Sequence, residues 1–379
     1  MLSPVIIGVK PESFKKNGLS EKANYTWKDI ASWVKTKNMT YAMTDPSVSN
    51  SGYVALMGVV YATANKGENI SLADINTSTL QDFFKGQKVT AKSSNWIMET
   101  FNKEPIDFVV NYESAILANT PKIIPVYPQE GIVTSDYAML LINGDVAKVA
   151  KYKALVNYLK KNESQEALVN QYHYRSINSE VMAKQNVFDQ NKLLVEMPFN
   201  QDNQISESIV MAYFNEYKKP AKFAFVIDTS GSMAGSRESV LIVPFAGEVH
   251  DVKTFDSTAK NEMNSFVKSL SMNGGTAMYD GVAKAISELI QDKKINGDKY
   301  RYSIVVLTDG LSNEGANFEQ FKSWFATNNV SQQDMRVFAI SFGNADLSQL
   351  KNITNLTGGK VFDGKTSLSS AFREIRSYQ

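Results

Sequence analysis

A chain of 379 residues is longer than one ordinary hydrophobic core serves and predicts two or three domains. Its 40 basic and 39 acidic side chains leave a net charge of +1, which gives no electrostatic support for nucleic acid or a membrane surface as partner. The absence of cysteine excludes disulfides, thiolate metal sites and a cysteine nucleophile. The longest apolar run, Tyr53 to Ala64, is too short to span a bilayer, and Met1 to Pro4 lead straight into a strand-like run without a charged leader, so no signal peptide is read.

Residues 1 to 190 alternate β-like runs with helical patterns, the sign of an α/β domain. Strands are expected at Val5 to Val9, Thr40 to Met43, Phe108 to Asn111, Lys122 to Tyr127 and Ala138 to Ile142. Trp27, Ile30, Ala31 and Val34 repeat at helical spacing, as do the apolar residues of Val146 to Tyr158. The informative stretch is Tyr41 to Gly52, a strand that runs into a serine-rich turn and then an apolar helix over Tyr53 to Thr63. Backbone N–H groups at that helix start, with the hydroxyls of Ser47, Ser49 and Ser51, make a pocket for an oxyanion or a small polar solute. A plain helix cap would explain the same residues.

The segments Thr44 to Gly52, Asp107 to Glu113 and Ile123 to Tyr127 resemble the type 2 periplasmic solute-binding fold, in the branch with molybdate- and phosphate-binding relatives. The resemblance covers residues 3 to 190 and implies a ligand held by Ser49, Asn50, Ser51, Asn111 and Tyr112 between two lobes. The family's opening strands have no counterpart before Met1, so an N-terminally incomplete domain, with a site open on one side and no tight solute binding, is expected.

Residues 191 to 217 read as a polar connector with a short helix over Ile205 to Tyr217, ended by Pro220. The second domain, 218 to 379, shows strands at 223 to 227, 240 to 245, 249 to 255, 302 to 308, 336 to 342 and 360 to 362. Helices fall near 259 to 270, 277 to 291, 317 to 327, 346 to 355 and 366 to 377, and Gly247 with Glu248 makes a hairpin turn. Phe223 to Ile227 and Tyr302 to Thr308 are apolar runs of the kind that form buried parallel strands, and each ends in an aspartate, Asp228 and Asp309. Open α/β sheets bind ligands at that edge. Ser230 and Ser232 follow Asp228 at alternate positions, and Thr276 is placed to cap the helix containing Tyr279, Val282, Ile286 and Leu289.

Asp228, Ser230, Ser232, Thr276 and Asp309 offer only hard oxygens, a set suited to Mg²⁺, Mn²⁺ or Ca²⁺ and poorly suited to Zn²⁺ or Cu²⁺. Residues 218 to 379 thereby resemble the von Willebrand factor type A domain, a doubly wound, mostly parallel Rossmann-like fold whose metal-ion-dependent adhesion site has the pattern Asp-x-Ser-x-Ser, Thr, Asp. The resemblance implies one Mg²⁺-sized ion and a protein partner whose acidic residue completes its shell. Between Asp228 and Ser239 the chain is too short for a crossover helix of the usual kind, which implies the loss of a segment.

The run Gly359 to Thr366 fits the P-loop pattern, but Val361 and Phe362 between its glycines read as a strand, which a phosphate loop is not. His173 and His250, the only histidines, stand beside no nucleophile motif and read as surface residues, so no enzyme is expected. Two functions follow. One is a non-enzymatic, metal-dependent adhesion module joined to a solute-binding-like domain, extracytoplasmic and bacterial by resemblance. The alternative is an accessory subunit of an ATPase or chelatase machine that acts through the type A domain.

Overall fold

The computed structural model describes residues 1–379 apart from 21–23, 65–69, 143–144, 190–191, 193, 198–201, 229–238, 257–258, 271–274, 309–310, 343–345, 365–366, 377 and 379. The chain divides into two compact units, Met1–Lys218 and Lys219–Ser377, each with its own mixed α/β core.

The first unit is built on strands β1 (Leu2–Val9), β2 (Tyr41–Thr44), β3 (Gln87–Ala91), β4 (Phe108–Tyr112), β5 (Ile124–Val126) and β6 (Thr134–Asp136). Their order is β3-β2-β4-β1-β5, with β6 also beside β1. Strand β2 runs parallel to β3 and β4, whereas β1 runs antiparallel to β4, β5 and β6. Helix Trp27–Lys37 starts in a capping box: the Thr26 hydroxyl accepts from the Asp29 N–H, and the Asp29 carboxylate accepts from the Thr26 N–H. Helix Asn50–Thr63 is apolar on all sides and correspondingly buried all round. It enters the core beside β2 because residue 52 is glycine; a Cβ there would stand 2.3 Å from the Thr44 carbonyl oxygen.

Strands β3 and β6 were not expected, and two further stretches differ from expectation. Residues 138–142 form no strand; β6 lies just before them, and Leu140 and Ile142 are 82% and 85% exposed because no neighbouring strand receives them. The segment expected as a connector contributes to the first unit's core. Helix Asn203–Ala212 continues into a wider turn at Tyr213–Tyr217, and Ile209, Tyr213 and Tyr217 are buried among the first unit's apolar residues. The Tyr213 hydroxyl donates to Gln87 Oε1 at 2.9 Å, which pins this helix to the start of β3.

The first unit also buries a charge pair. Arg175 donates from Nε and Nη2 to the two oxygens of Glu113 at 2.7 and 2.8 Å, and the Tyr127 hydroxyl donates to the same carboxylate at 2.5 Å. Glu113 is fully buried, so its charge is carried by these three donors. Burial and the Glu113 carboxylate together hold the Tyr127 phenol protonated.

The second unit holds β7 (Ala221–Asp228), β8 (Ser239–Phe245), β9 (Lys253–Phe255), β10 (Arg301–Thr308), β11 (Arg336–Ser341) and β12 (Val361–Asp363). Their order is β12-β11-β10-β7-β8-β9, parallel except for β9. Strand β9 is shorter than the expected 249 to 255 because Val249 pairs with Phe245 only as a bridge beyond the hairpin turn. Helix Met278–Asn296 packs on the centre of the sheet through Val282, Ile286 and Leu289. At the amino-terminal edge, Asp292 of this helix accepts from Lys222 Nζ at 2.6 Å and from the Tyr302 hydroxyl at 2.7 Å, two residues paired in register on β7 and β10.

Candidate functional site

The second sheet reverses its winding at β7: the chain passes to β8 on one side and returns to β10 on the other. Ligands of open α/β sheets bind beyond the carboxyl ends of strands that diverge in this way. Asp228 ends β7 opposite Phe245 of β8, and β10 runs parallel to β7 with Leu307 opposite Ile227. Both aspartate-bearing strand ends therefore point to one edge of the sheet. The side chain of Asp228 and residues Ser230, Ser232 and Asp309 lie outside what the structure describes, as do residues 229–238, on which the expected loss of a crossover falls.

Thr276 is described, and it stands at the same edge. The N–H of Ala277, the next residue, donates to the Ala246 carbonyl just past β8 at 2.6 Å. Thr276 does not cap the helix as expected; the N-cap is Ala277, which has no side-chain acceptor. The Thr276 backbone is engaged by the loop after Asp309 instead. Its N–H donates to Asn313 Oδ1 at 2.8 Å, and its carbonyl accepts from the N–H groups of Asn313 and Glu314 and from the Ser312 hydroxyl. This fixes Thr276 by its main chain and leaves its hydroxyl uncommitted to a cap. The Asp280 carboxylate closes the loop from below by accepting from the Ala316 N–H at 3.0 Å.

Sequence reasoning missed Glu314. Its carboxylate lies against Gly247 and Gly275, so close that a Cβ on Gly275 would stand 2.5 Å from the Glu314 carboxyl carbon. It thus adds an acid beside Gly275, the residue before Thr276. Its position five residues beyond Asp309 in sequence was the available signal. The described part of this edge offers hard-oxygen donors of the kind a divalent cation takes: a threonine hydroxyl on a backbone fixed by hydrogen bonds, and a central strand that ends in an aspartate. The described residues contain no cluster of three His, Cys, Asp or Glu that could bind an ion alone.

In the first unit the structure brings the expected residues together. Ser49 is the N-cap of helix Asn50–Thr63, but its hydroxyl makes no cap bond and lies 3.1 Å from Ser51 Oγ. The Ser51 hydroxyl is fully buried, 2.7 Å from Thr44 Oγ1 and 3.2 Å from Ser94 Oγ. Ser94 is the first residue of helix Ser94–Lys103, which also lacks a side-chain cap. Two helix starts, each a partial positive charge with no side-chain cap among the described residues, therefore converge on one hydroxyl cluster. The Asn111 amide donates to the Ser94 carbonyl at 3.2 Å, and its oxygen accepts from the Tyr112 N–H at 2.8 Å. Asn50 Nδ2 donates to the Tyr112 hydroxyl at 3.0 Å and to Ser135 Oγ at 2.9 Å. Tyr137 packs between Tyr112 and Tyr174 and bounds this side of the cluster, its phenol held protonated by burial and by those neighbours. Thr44, Ser94 and Ser135 were not singled out from the sequence. Ser93 and Ser94 before Trp96, Ile97 and Met98 are a readable helix start, whereas nothing local marks Ser135.

The P-loop reading is decided by placement. Val361 and Phe362 lie in β12, so the P-loop pattern spans a strand. His173 and His250 are half-buried, not surface residues as expected; each keeps one ring nitrogen inside without a hydrogen-bond partner among the described residues, and His173 adopts φ 57°.

Residues 237–376 match the family model of the von Willebrand factor type A domain, a span that includes Thr276 and Asp309 and begins after Ser232. None of the curated proteins is similar enough in sequence to match. Among solved structures the chain is similar to the periplasmic binding protein AfuA of Actinobacillus pleuropneumoniae, described with bound fructose-6-phosphate. The identity is 16% and the TM-score 0.42, over 57% of this chain and 66% of that one. It is also similar to proximal thread matrix protein 1 of the mussel byssus, described with a zinc-occupied MIDAS motif (16%, TM-score 0.29, 41% of this chain and 46% of that one). A third is the manganese-loaded TRAP protein of Plasmodium vivax (16%, TM-score 0.30, 41% and 72%). This chain spans just under two thirds of the AfuA chain.

Proposed function

We propose, from the premise that residues 237–376 form a von Willebrand factor type A domain, that this chain recognises a protein partner through a divalent ion held at the carboxyl edge of its second sheet. Asp228, Ser230, Ser232, Thr276 and Asp309 are the residues that would hold the ion. The observation that carries the reading is the anchoring of Thr276 at the edge where β7 and β10 end. Two carboxylates neutralise a divalent cation while neutral hydroxyls complete its shell, so the ion stays electrophilic and accepts an acidic side chain from outside. When bound, the ion supplies that Lewis-acid contact; the chain's own part is to hold the hydroxyls in place. We assign recognition and not catalysis, with Mg²⁺ as the ion.

The first unit is assigned a small oxyanion or polar solute, bound by the helix starts at Asn50 and Ser94. An extracytoplasmic location is part of the same reading, in line with the periplasmic source of the solute-binding neighbours. No helix among the described residues is long and apolar enough to cross a membrane.

The test is calorimetric titration of chelator-stripped protein with Mg²⁺, followed by a short glutamate-bearing peptide. Uptake of one ion that is lost in Thr276→Ala, with peptide binding only after the ion, supports the proposal. Metal uptake without any effect on the peptide removes the recognition half of it.

A further inference from the structure

The run 138–142 is strand-like in sequence and pairs with no described strand. Strand β6 pairs with β1, and the last ladder-like bond beyond it is from the Tyr137 N–H to the Met1 carbonyl at 3.0 Å. From Ala138 to Ile142 no backbone N–H donates to a described residue; the Met139 carbonyl alone is used, accepting from the Tyr152 hydroxyl at 2.9 Å. Helix Val146–Leu159, which follows, has no fully buried residue: Val149, Tyr152, Val156 and Leu159 on one face are half-buried, and Leu155 and Tyr158 on another are exposed. Leu140, Ile142 and Val146 are 82%, 85% and 89% exposed. An isolated helix of this length is marginal in water, and an open apolar edge is a template for strand addition.

The surface is also basic. Residues 138–161 carry five lysines against one aspartate, in a chain whose net charge is +1. All five lysines are exposed. That charge selects the occupant. A second copy would set five lysines against five lysines. A lipid surface cannot satisfy the N–H groups of 138–142, and Lys148 and Lys151, seven and four residues before Leu155, share its helix face, so the apolar side chains are not segregated as an interfacial helix requires. An acidic polypeptide that adds one β-strand satisfies the backbone, the apolar side chains and the lysines together. We propose that residues 138–142 and helix Val146–Leu159 form a docking surface for an acidic, extended segment of a partner protein, bound by strand addition. This surface lies wholly in the first unit, so it stands or falls apart from the metal edge.

The test uses the full chain and a fluorescein-labelled eight-residue peptide of alternating isoleucine and glutamate. One control has lysine for glutamate; another is N-methylated at alternate residues. Fluorescence anisotropy should give a Kd at least tenfold lower for the glutamate peptide than for either control, and at least tenfold weaker binding to Lys148→Glu/Lys151→Glu. Bound peptide should slow hydrogen exchange at residues 138–142 at least tenfold. The melting temperature of the variant controls for folding. Unchanged exchange at 138–142, or equal affinity for the three peptides, overturns the proposal. Slowing of the same amides by phosphatidylglycerol vesicles and not by peptide overturns it in favour of a membrane. A concentration-dependent dimer abolished by Leu140→Glu overturns it in favour of a second copy.

Discussion

Ser51 and Ser94 lie in the first turns of two separate helices and bring their hydroxyl oxygens to 3.2 Å from each other. Neither helix has a side-chain cap, so the first-turn N–H groups of both are available to one anion beside that pair. Sulfate or phosphate should therefore shift the amide resonances of residues 50–53 and 94–97 together, in the millimolar range. At a concentration equal to Kd such a ligand adds only about 0.4 kcal/mol of stability, so the change in Tm is small. Ser51→Ala should weaken the response several-fold. Shifts confined to one helix start, or none at all, would remove the shared site.

Gly52 tests how closely that helix start must approach β2. A Cβ would meet the Thr44 carbonyl oxygen at 2.3 Å and the Thr44 carbonyl carbon at 2.7 Å, both backbone atoms that cannot turn aside. Gly52→Ala should lower the unfolding free energy of the first unit by about 1–3 kcal/mol, as overpacking does, and move the Ser51 hydroxyl from Ser94. Urea unfolding of the full chain checks the first effect. Unchanged stability would mean that helix and strand sit further apart.

The Glu113–Arg175 pair predicts a non-additive result. Burial works against the Arg175 charge, but hydrogen bonds and charge from Glu113 raise its pKa overall. Arg175→Met leaves a buried carboxylate with too few donors and should cost about 3–5 kcal/mol. Glu113→Gln combined with Arg175→Met should cost markedly less than the single change at Arg175. A double mutant at the sum of the two singles would show that the pair is not coupled.

Asp292 sets a pH signature for the second unit. Burial pushes its carboxyl up, but hydrogen bonds from Lys222 and Tyr302 outweigh this and hold it below its ordinary value of 3.8. The unfolded chain takes up this proton first on acidification, so the contribution is complete above 3.8 and is lost as pH falls through the lower folded value. The Tyr302 phenol shifts the opposite way: burial, then the Asp292 carboxylate, raise it above its ordinary 10.0. Its contribution is complete below that value and is lost as pH rises toward the folded one. Asp292→Asn should flatten both limbs of stability against pH. Limbs identical to those of the parent chain would rule out this staple.

The parts of the fold legible in the sequence are those whose burial is encoded locally. Phe223 to Ile227 and Tyr302 to Thr308 are apolar without interruption because parallel strands are covered on both faces, and they emerge as β7 and β10. Strand β3 was missed because Gln87, Lys88 and Thr90 look like a loop; Gln87 is buried only through its bonds to Thr90 and Tyr213, the latter from a segment far along the chain. The run at 138–142 misled in the opposite sense, since an apolar pattern states that a partner is wanted and not that one is present. At the candidate metal edge the residue types and their order could be read, but Thr276 was given a capping role by its type alone. Its backbone bonds to residues 312–314 come from a loop 37 residues distant and carry no local trace.

The central claim is that Asp228, Ser230, Ser232, Thr276 and Asp309 hold one divalent ion for a partner's carboxylate. Its most direct test is titration of chelator-stripped protein with Mn²⁺, followed by electron paramagnetic resonance of free ion, for the parent chain, Asp228→Ala and Asp309→Ala. Mn²⁺ meets the same hard oxygen donors as Mg²⁺. The account predicts one site that Mg²⁺ displaces in the parent chain and none in either variant, with melting temperatures of the ion-free proteins unchanged. Stoichiometric uptake that persists in both variants would place the ion elsewhere and contradict the account.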